Sequence, residues 1–534
     1  MTKLKKETIR EILQKRFKDD CHTKLSLIPA PFLFKDMQKA ALRIKEAIEK
    51  KEKIVIVGDY DVDGVVSLVV LAEFFDDFGI DYDIEIPNRF SDGYGLNPSI
   101  VERIRADVVI TVDNGISAVA AAELCLQNGI DLIITDHHTP PHVLPNAYAV
   151  INPKQSECSF PNSEICGAQI AWYLAAAIKD VCKYEYDLTK FLDILSIAIM
   201  ADMMDLKDIN RTMVKRGLKL LNNSTRPAFM AIREIFKKEH FDSDDISFLI
   251  SPLLNSSGRM EDALFSYGFL RSKSKKEALA RLDEIIGINE RRKEEERALF
   301  EDSLKFADEN DAVVVVWGEA WHEGVIGIVA SRLAKKFKKP SIVFSLKGDN
   351  AKGSARSVAG VDILSLIAKQ SELLLGFGGH FGAAGVLLLQ ENLELFKKRI
   401  NENAKELRLH EVVLHDESLG EIEPEAIDFE LLEILEEFEP YGQKNPKPTF
   451  IMRGAKVKID KLIGREGRHK KFILQSGEKT IEALYYNFKQ EIKSGDMIDI
   501  LFSVSRNDFR GLVTPQLLIR EILHHIPHTF ETAK

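Results

Sequence analysis

The sequence has few cysteines, no long apolar run and no excess of positive charge. Its five cysteines are odd in number and include no C-x-x-C pair, which argues against a disulfide framework and a zinc knuckle and fits a reducing compartment. No apolar run is long enough to span a bilayer, and none follows the lysines near the start of the chain. We therefore expect a cytoplasmic protein that is neither secreted nor embedded in a membrane.

The charge balance is acidic, with 73 lysines and arginines against 83 aspartates and glutamates and a net charge of −10. Phosphate binding normally needs a basic surface, so this balance argues against a nucleic-acid partner. The argument is weak, because acidic metal ligands and solvated helix faces lower the total charge. A protein that threads a single strand needs only a basic groove.

One short stretch places three carboxylates directly after four apolar β-branched residues: residues 54–64 read I-V-I-V-G-D-Y-D-V-D-G. The apolar run predicts a buried parallel strand, and ligands of open α/β sheets sit beyond the carboxyl ends of such strands. Asp59, Asp61 and Asp63 repel one another unless a cation neutralises them, and clustered oxygen ligands suit Mg²⁺ or Mn²⁺. An acidic turn that caps the following helix is the alternative, and these residues alone leave the two equally open.

Two later stretches repeat the arrangement of an apolar run followed by polar side chains: V-V-I-T-V-D at residues 108–113 and L-I-I-T-D-H-H at residues 132–138. If the runs are neighbouring parallel strands, Asp113, Asp136, His137 and His138 converge on the cleft that the first three acids line. A mixed set of carboxylates and imidazoles suits Mn²⁺ or a similar ion better than Ca²⁺.

A fourth acid lies in an apolar setting further along the chain. Residues 197–206 read I-A-I-M-A-D-M-M-D-L, which places Asp202 inside a predicted apolar helix. A buried unpaired carboxylate costs several kcal/mol, so such an acid usually has a partner, and a metal ion is a good one.

These segments carry a family resemblance. In order, D-Y-D-V-D-G, V-D-N-G, T-D-H-H and the segment around Asp202 resemble the motifs of the DHH phosphoesterases, a superfamily of two-metal phosphate-ester hydrolases. This chain has Asp205 where the fourth motif usually has proline. The resemblance implies two Mn²⁺ or Mg²⁺ ions, a bridging role for Asp113, and orienting roles for Asp136 and His138. The implied metal ligands are Asp59, Asp61, Asp63, Asp113, His137 and Asp202.

Three further segments resemble the RecJ branch of this superfamily: P-x-R followed by G-Y-G-L at residues 87–96, N-S-S-G-R at 255–259, and G-G-H-F-G-A-A-G at 378–385, the last being similar to the DHHA1-domain signature. The resemblance implies that Arg259 or His380 stabilises charge at the scissile phosphate. The implied phosphate-binding residues are Arg89, Ser354 and Arg356, with Gly378 and Gly379 allowing backbone N–H groups to approach. Without the resemblance, Arg89 is an ordinary loop arginine, Arg259 is structural, and the glycine-rich segment is a tight turn into a helix.

The order of strands and helices predicts an α/β protein, with a parallel-sheet DHH domain joined by a long helix to a smaller α/β DHHA1 domain and a C-terminal OB-like β-barrel. We expect an accessory helical layer on the first domain at residues 1–50 and an acidic linker at residues 417–439. The expected domains are 1–50 (helical segment), 51–270 (DHH), 271–310 (connector helix), 311–410 (DHHA1) and 415–525 (OB-like).

A basic loop in the predicted barrel is a candidate for binding a single strand. Its cations are Arg465, Arg468, His469, Lys470 and Lys471. Aromatic residues lie nearby in the sequence, and cations beside aromatic rings are how OB-folds hold single strands. A solvated basic turn on a barrel with core aromatics is the alternative. We take Arg468 and Lys470 as candidate substrate-binding residues.

Taken together, the resemblance implies a 5′-to-3′ exonuclease specific for single-stranded DNA, which releases mononucleotides in recombination and repair. One alternative is a phosphodiesterase for short oligonucleotides or cyclic dinucleotides, although such proteins look shorter and lack the barrel. Another is an inactive DNA-binding scaffold, against which the intact acids argue. The expected partners are single-stranded DNA, a helicase and a single-strand-binding protein, with no membrane contact and a monomeric state.

Overall fold

The structure is a computed structural model that describes residues 3–358, 360–406, 418–464, 467–488, 490–509 and 512–527. Arg465 of the predicted basic loop lies outside the described residues, as does the predicted domain boundary between residues 410 and 415.

The first lobe is built on a sheet of five parallel strands. They are β1 Ile54–Val57, β2 Tyr82–Glu85, β3 Val108–Val112, β4 Asp131–Thr135 and β5 Ala149–Ile151. Their order is β2-β1-β3-β4-β5, and every pairing is parallel. β1 and β3 are buried along their whole length, which explains their unbroken apolar sequences. Because all strands point the same way, their carboxyl ends share one edge of the sheet.

Helices cover both faces of this sheet. α3 is buried on nearly all sides and packs between the sheet and the later helices of the lobe. A short π-helical segment, Ile246–Ile250, joins α10 to α11. The helices up to the connector are α1 Lys6–Lys15, α2 Met37–Lys50, α3 Val62–Asp77, α4 Pro98–Arg103, α5 Val119–Gln127, α6 Gly167–Cys182, α7 Leu192–Ala201, α8 Asp208–Asn223, α9 Pro227–Phe236, α10 Ser243–Asp245, α11 Ser251–Met260, α12 Leu264–Leu270 and α13 Lys275–Ser303.

The connector α13 leads into a second lobe with its own sheet. Its strands and helices are β6 Val314–Glu319, α14 Ile326–Phe337, β7 Ser341–Lys347, β8 Asn350–Arg356, α15 Ile363–Ala368, β9 Leu374–His380, β10 Ala383–Leu389 and α16 Leu393–Glu406. The strand order is β6-β7-β8-β10-β9, and only the β6–β7 pairing is parallel among those described. The glycine-rich segment at 378–385 forms the β9–β10 hairpin, so the turn into a helix was the wrong alternative.

The C-terminal domain is a closed barrel. Its elements are β11 Gly420–Glu421, α17 Phe429–Glu437, β12 Phe450–Ile463, β13 His469–Ser476, β14 Lys479–Tyr485, β15 Met497–Phe509 and β16 Leu512–Ile526. The sheet runs β11-β12-β13-β14-β16-β15, and β12 also pairs with β15, which closes five strands into the barrel. These observations confirm the predicted fold class.

The predicted acidic linker at residues 417–439 is wrong, because the described part of it contains α17. Asp428 caps this helix by accepting a hydrogen bond from the Leu431 N–H. Leu431 and Leu435 then face the core of the barrel domain, so the acids lie on the outer face of a packed helix.

The N-terminal helices divide between the first and last domains. α2 packs against α6 of the first lobe, as predicted for an accessory layer. By contrast, Ile9 and Leu13 of α1 are fully buried in the core of the C-terminal domain. Lys6 donates to Asp428 at 2.6 Å, and Leu4 forms a β-bridge with Ile422. Residues 3–50 therefore connect the barrel domain to the first lobe. No described helix is long and apolar enough to cross a membrane.

Candidate metal centre and substrate cleft

The acids singled out in the sequence lie at the carboxyl edge of the first sheet. Asp59 to Asp63 follow β1, Asp113 follows β3, and Asp136 to His138 follow β4. Asp113 has a φ of 63°, a left-handed conformation that costs free energy in a residue with a Cβ and that is concentrated at functional sites. A Cβ at Gly167, which opens α6, would clash with the Asp113 carboxylate. The backbone of α6 can approach this acid only because glycine is there.

Two of the three acids after β1 are also bound by helix N-termini. Asp61 caps α3, with its Oδ1 accepting from the N–H groups of Asp63 at 2.9 Å and Gly64 at 3.2 Å. The Asp63 carboxylate accepts from the N–H groups of Gly167 at 2.6 Å and Ala168 at 2.8 Å, where α6 begins. Asp61 therefore caps a helix, as the alternative interpretation predicted, and it is also a member of the acidic cluster.

His137 lies in the middle of the cluster. Its Nε2 is 3.2 Å from Asp113 Oδ1, 3.5 Å from Asp202 Oδ2 and 3.8 Å from Asp63 Oδ2. Asp202 follows the last residue of α7 and does not lie inside the helix as predicted. Three groups could each hold a metal ion: Asp63 with His137 and Asp202, Asp59 with Asp61 and Asp113, and Asp113 with His137 and His138. The first two groups share no residue, and the 3.2 Å contact between His137 and Asp113 links them.

The electrostatics of the cluster favour a bound cation. Burial, followed by repulsion from neighbouring acids, raises the pKa of Asp59, Asp113 and Asp202 well above the usual value, and that of Asp63 to about 6. Burial also lowers the pKa of His137 to about 3, so the imidazole stays neutral and can act as a ligand.

Unpaired polar atoms provide a separate test of whether these residues suit divalent metal ions. Among the described residues, the buried side-chain atoms without a hydrogen-bond partner include Asp59 Oδ1, Asp113 Oδ1, Asp202 Oδ2 and His137 Nδ1. Leaving such atoms buried and unsatisfied is costly, and oxygen and imidazole nitrogen are the donors that Mn²⁺ and Mg²⁺ accept. These residues therefore fit divalent metal ions.

Asp136 differs from the other acids because its carboxylate is fully hydrogen-bonded. Oδ1 accepts from the His138 Nδ1 at 2.7 Å and from the N–H groups of His137 and His138, and Oδ2 accepts from the Ile116 N–H at 2.8 Å. The bond to Asp136 raises the pKa of His138 to about 9 despite its burial. This geometry suits the orienting roles predicted for Asp136 and His138.

Three arginines come together where the two lobes meet. The Arg89 guanidinium lies 3.9 Å over the Tyr60 ring, and its Nε donates to Gly258 O at 3.1 Å. Arg259 is half-buried, and its Nη1 donates to Gly324 O of the second lobe at 3.4 Å. Burial and the charges of Arg89 and Arg356 lower the pKa of Arg259 to about 10. Cations held this close repel one another, so the group favours an anion between them.

The second lobe contributes an open sheet face to the cleft. On β8, Arg356 Nη1 donates to Ser354 Oγ at 3.1 Å. Strand register places Arg356 and His380 on either side of Ala383. In the same way, Ser354 and Gly378 flank Gly385. A Cβ at Gly378 would meet nothing within 4 Å, so the face is bare there. The His380 ring stacks on His138 of the first lobe, with centroids 6.0 Å apart. His380 and its strand therefore face the acidic cluster.

The chain matches three known domain families in order. It matches the DHH family, N-terminal domain, over residues 53–199, the DHHA1 domain over residues 310–406 and the RecJ OB domain over residues 420–521. Proteins named single-stranded-DNA-specific exonuclease RecJ are 32% identical in Bacillus subtilis, 31% in Dickeya dadantii and 30% in Escherichia coli. The alignments cover 94%, 90% and 91% of this chain, and 65%, 89% and 90% of those proteins, respectively. The chain belongs to the RecJ family.

Solved structures agree with this assignment. RecJ from Thermus thermophilus in complex with Mn²⁺ superposes with a TM-score of 0.81 at 26% identity, over 97% of this chain and 75% of that one. A second structure, described as exonuclease RecJ bound to manganese, gives a TM-score of 0.62 at 29% identity, over 71% of this chain and 97% of that one. The predicted resemblance to the RecJ branch is confirmed.

The RecJ OB domain of this chain places the two predicted barrel cations differently. Arg468 is exposed just before β13, where a strand could reach it. Lys470 is buried within β13 and does not lie in a loop, and its Nζ donates to Ile492 O at 2.6 Å. Its assignment as a substrate-binding residue is therefore wrong, because its ammonium group is already used inside the barrel. The predicted basic loop is shorter than expected, since β13 begins at His469.

Sequence reasoning missed two residues that shape this RecJ-family cleft. Asn114 donates to three backbone carbonyls, at Val57, Gly58 and Val112, and thereby fixes the end of β1 against β3. The Tyr94 hydroxyl donates to Asp113 O at 3.3 Å. The sequence did contain signals for both residues: Asn114 is the third letter of V-D-N-G, and Tyr94 stands between two glycines.

Proposed function

We propose that this chain is a metal-dependent 5′-to-3′ exonuclease that degrades single-stranded DNA to mononucleotides. The observation that carries the proposal is the cluster of buried, unsatisfied carboxylate and imidazole atoms beside three converging arginines. The first group suits cations and the second suits a phosphate. Membership of the RecJ family, whose relatives are named for this substrate and activity, supports the same conclusion.

The six predicted ligands would hold two divalent ions in the two groups linked by the contact between Asp113 and His137. Ions bound there supply an activated water and stabilise the charge that develops at phosphorus. The chain's own residues fix the geometry. His137 stays neutral because of its low pKa, Asp136 holds His138 in position, and Asn114 fixes the strand end that carries Asp113.

Hydrolysis that releases a 5′-mononucleotide breaks the bond between phosphorus and the 3′-oxygen of the terminal nucleotide. Water adds to phosphorus, the 3′-oxygen leaves and takes up a proton, and the shortened strand keeps the phosphate as its new 5′ end. In this proposal Arg89, Ser354 and Arg356 hold that terminal phosphate, and Arg259 or His380 stabilises charge at the scissile one; the contacts of Arg356 with Ser354, of Arg259 with the second lobe and of His380 with His138 support it. Each cleavage then regenerates the group that the arginines recognise, and recognition of that terminal group favours cleavage at the end of the strand.

The barrel domain explains why long strands would be preferred to dinucleotides. Its exposed Arg468 lies on a fold that in related domains holds single strands through cations and aromatic rings. We further propose a monomeric cytoplasmic enzyme that acts on strands opened by a helicase and shares them with a single-strand-binding protein. Light scattering of the purified chain, alone and with an oligonucleotide, tests the monomer.

The decisive experiment compares 5′-labelled and 3′-labelled single strands incubated with Mn²⁺ or Mg²⁺. The matched variant is Asp113→Asn, because asparagine keeps the size of the side chain and tolerates the left-handed backbone that alanine would strain. Asp81→Asn is the control, since Asp81 is exposed before β2 at the opposite edge of the sheet.

We expect early release of labelled mononucleotide from the 5′ end, lost in Asp113→Asn and unchanged in Asp81→Asn. Early release from the 3′ end would contradict the polarity. Turnover of dinucleotides without cleavage of long strands would contradict the substrate, and binding without cleavage would indicate a scaffold.

A further inference from the structure

An apolar residue with a strained backbone, Met203, directly follows Asp202 of the metal cluster. In the described structure, five helices end with a non-glycine residue in the left-handed conformation. These residues are Lys51, Lys183, Lys237 and Lys338, with φ values of 56°, 57°, 51° and 54°, and Met203, with a φ of 55°. Met203 is thus the one apolar residue among these described helix ends.

The backbone conformation does not explain why this position is methionine. The Met203 N–H donates to Met200 O at 3.2 Å and the Met204 N–H donates to Ile199 O at 3.1 Å, which closes the end of α7. Glycine is the residue that favours this left-handed closure, because it has no Cβ. Asparagine or a long polar side chain is the usual substitute, as the four lysines illustrate.

Packing does not call for methionine either. Met204 packs against the core of the first lobe, whereas Met203 is 68% exposed and is not among the residues packed against that core. The side chain therefore strains the backbone and exposes apolar surface to water without a visible gain in folding free energy. Residues kept at such a cost are concentrated at binding and catalytic sites.

The position of Met203 indicates what it could contact. It directly follows Asp202, the most open member of its candidate metal group: the Asp202 side chain is 28% exposed, against 2% for Asp63 and 6% for His137. Within this metal group, Asp202 is therefore the ligand that solvent reaches most easily. A phosphate bound at Asp202 would bring its nucleotide close to the residue that directly follows this ligand in the chain.

We propose that Met203 is a substrate-positioning residue whose thioether packs against the base of the nucleotide next to the scissile phosphate. This inference rests on the proposed nuclease function. Sulfur makes favourable contacts with aromatic rings, and the flexible methionine side chain can adapt to any of the four bases. Such a contact holds the nucleotide without reading its sequence, which suits an enzyme that must accept every base in turn.

The test is steady-state kinetics on a 5′-phosphorylated oligothymidylate, combined with thermal unfolding, for Met203→Gly. We expect KM to rise about fivefold with kcat within about twofold, because a contact to the bound nucleotide is lost while the chemistry is untouched. We also expect Tm to rise by about 2 °C, because glycine relieves the left-handed strain. Affinity and stability should thus change in opposite directions.

Two further variants separate the side chain from the backbone. Lys183→Gly relieves the same strain at an exposed helix end outside the cleft, so Tm should rise while KM stays unchanged. Met203→Leu keeps an apolar side chain of similar size, so KM should stay within about twofold of the parent.

Met203→Gly with an unchanged KM, measured on a parent enzyme that cuts the substrate, would overturn the inference and leave the proposed function intact. A fall in kcat at constant KM would also overturn it, because it would show that the substitution acts through Asp202. A parent protein that cuts no strand would overturn the proposed function and this inference together.

Discussion

The two sides of the cleft are built in opposite ways. On the first lobe, Asp63, Asp113 and His137 are almost completely buried, and Asp113 Oδ1 and His137 Nδ1 have no hydrogen-bond partner. On the second lobe, β9 is exposed along nearly its whole length, and Gly376 and Gly378 leave open space above the sheet. The charged side chains of the first lobe are buried, whereas the facing strand of the second lobe is accessible to solvent and has little side-chain cover.

The difference reflects what each side would bind. Metal ions need ligands held in fixed positions, and the cost of burying those ligands is offset only when the ions bind. A nucleic-acid strand must move through the site after every cleavage, so its side of the cleft needs space and a few cations. Variants that change one side of the cleft at a time should therefore have distinct effects on activity and stability.

Removing the central imidazole should have the largest effect. We expect His137→Ala to lower the rate of single-strand degradation on the order of a thousandfold, because the residue lies between the two candidate metal positions. Added imidazole should restore part of the activity, since the free base can enter the vacated space as a neutral ligand. His142→Ala, at an exposed position of the same lobe, is the control and should keep full activity. A fully active His137→Ala enzyme would contradict the proposed role of His137 as a metal ligand.

On the second lobe, Arg356→Ala should have a smaller effect that depends on the end of the substrate. We expect degradation of 5′-phosphorylated strands to fall about a hundredfold, because a charge-assisted hydrogen bond to phosphate is lost. Strands with a 5′-hydroxyl should be affected much less. Lys352→Ala is the control, because Lys352 lies on the same face of β8 and already pairs with Glu323 at 2.8 Å. Equal losses on both substrates would mean that Arg356 does not hold the terminal phosphate.

The connection between α1 and the barrel domain should matter only for long substrates. Replacing Ile9 and Leu13 together by aspartate places charges in the core that α1 shares with the barrel domain. We expect KM for long strands to rise about tenfold, because the barrel is no longer fixed beside the cleft, while dinucleotide turnover stays the same. Glu11→Ala, on the exposed face of α1, should change neither value. Loss of dinucleotide turnover would show that α1 supports the catalytic lobe itself.

The smallest expected effect is on stability without metal. Carboxyl groups whose pKa is raised on folding bind more protons in the folded protein than in the unfolded chain, so the fold loses stability as pH rises from their unfolded pKa of about 4 to their folded pKa. Asp63, with a pKa of about 6, and Asp113, whose pKa burial also raises, act in this direction.

In the presence of a chelator, Tm should therefore fall by about 3 °C between pH 4.5 and pH 7, and Mn²⁺ added at pH 7 should reverse the fall. Asp113→Asn should make Tm less dependent on pH, which separates the cluster from other groups, such as the half-buried Glu439 with its pKa of about 7. A metal-free protein whose Tm rises over this range would contradict the pKa shifts.

The sequence predicted that the acids converge at one edge of the sheet, because simple geometry governs their placement. An apolar run followed by an acid, repeated at Asp59, Asp113 and Asp136, indicates parallel strands whose carboxyl ends meet. The same reasoning misplaced Asp202, which ends α7, because the left-handed turn at Met203 carries no glycine or proline signal. The convergence of Arg89, Arg259 and Arg356 also required three-dimensional information, since these residues come from distant segments of the chain.

Two predictions for the C-terminal domain were wrong because they gave more weight to the density of charged residues than to the spacing of apolar ones. Lys470, Phe472 and Leu474 alternate along β13 and all point inward, so the lysine follows the apolar face of the strand. In α17, the spacing of Leu431 and Leu435 gives one apolar face to a segment that its glutamates made resemble a linker. In both places the repeat of the apolar residues was more informative than the density of charge.

The shared core of α1 and the barrel domain also constrains how the molecule is made. Lys6 and its partner Asp428 are 422 positions apart in the chain. At translation rates of about 5 to 20 residues per second, Ile9 and Leu13 would wait about 20 to 80 s before the segment that covers them leaves the ribosome. During that interval a nascent amphipathic helix is open to chaperones and to neighbouring chains. The first helix synthesised would thus be among the last to reach its final place.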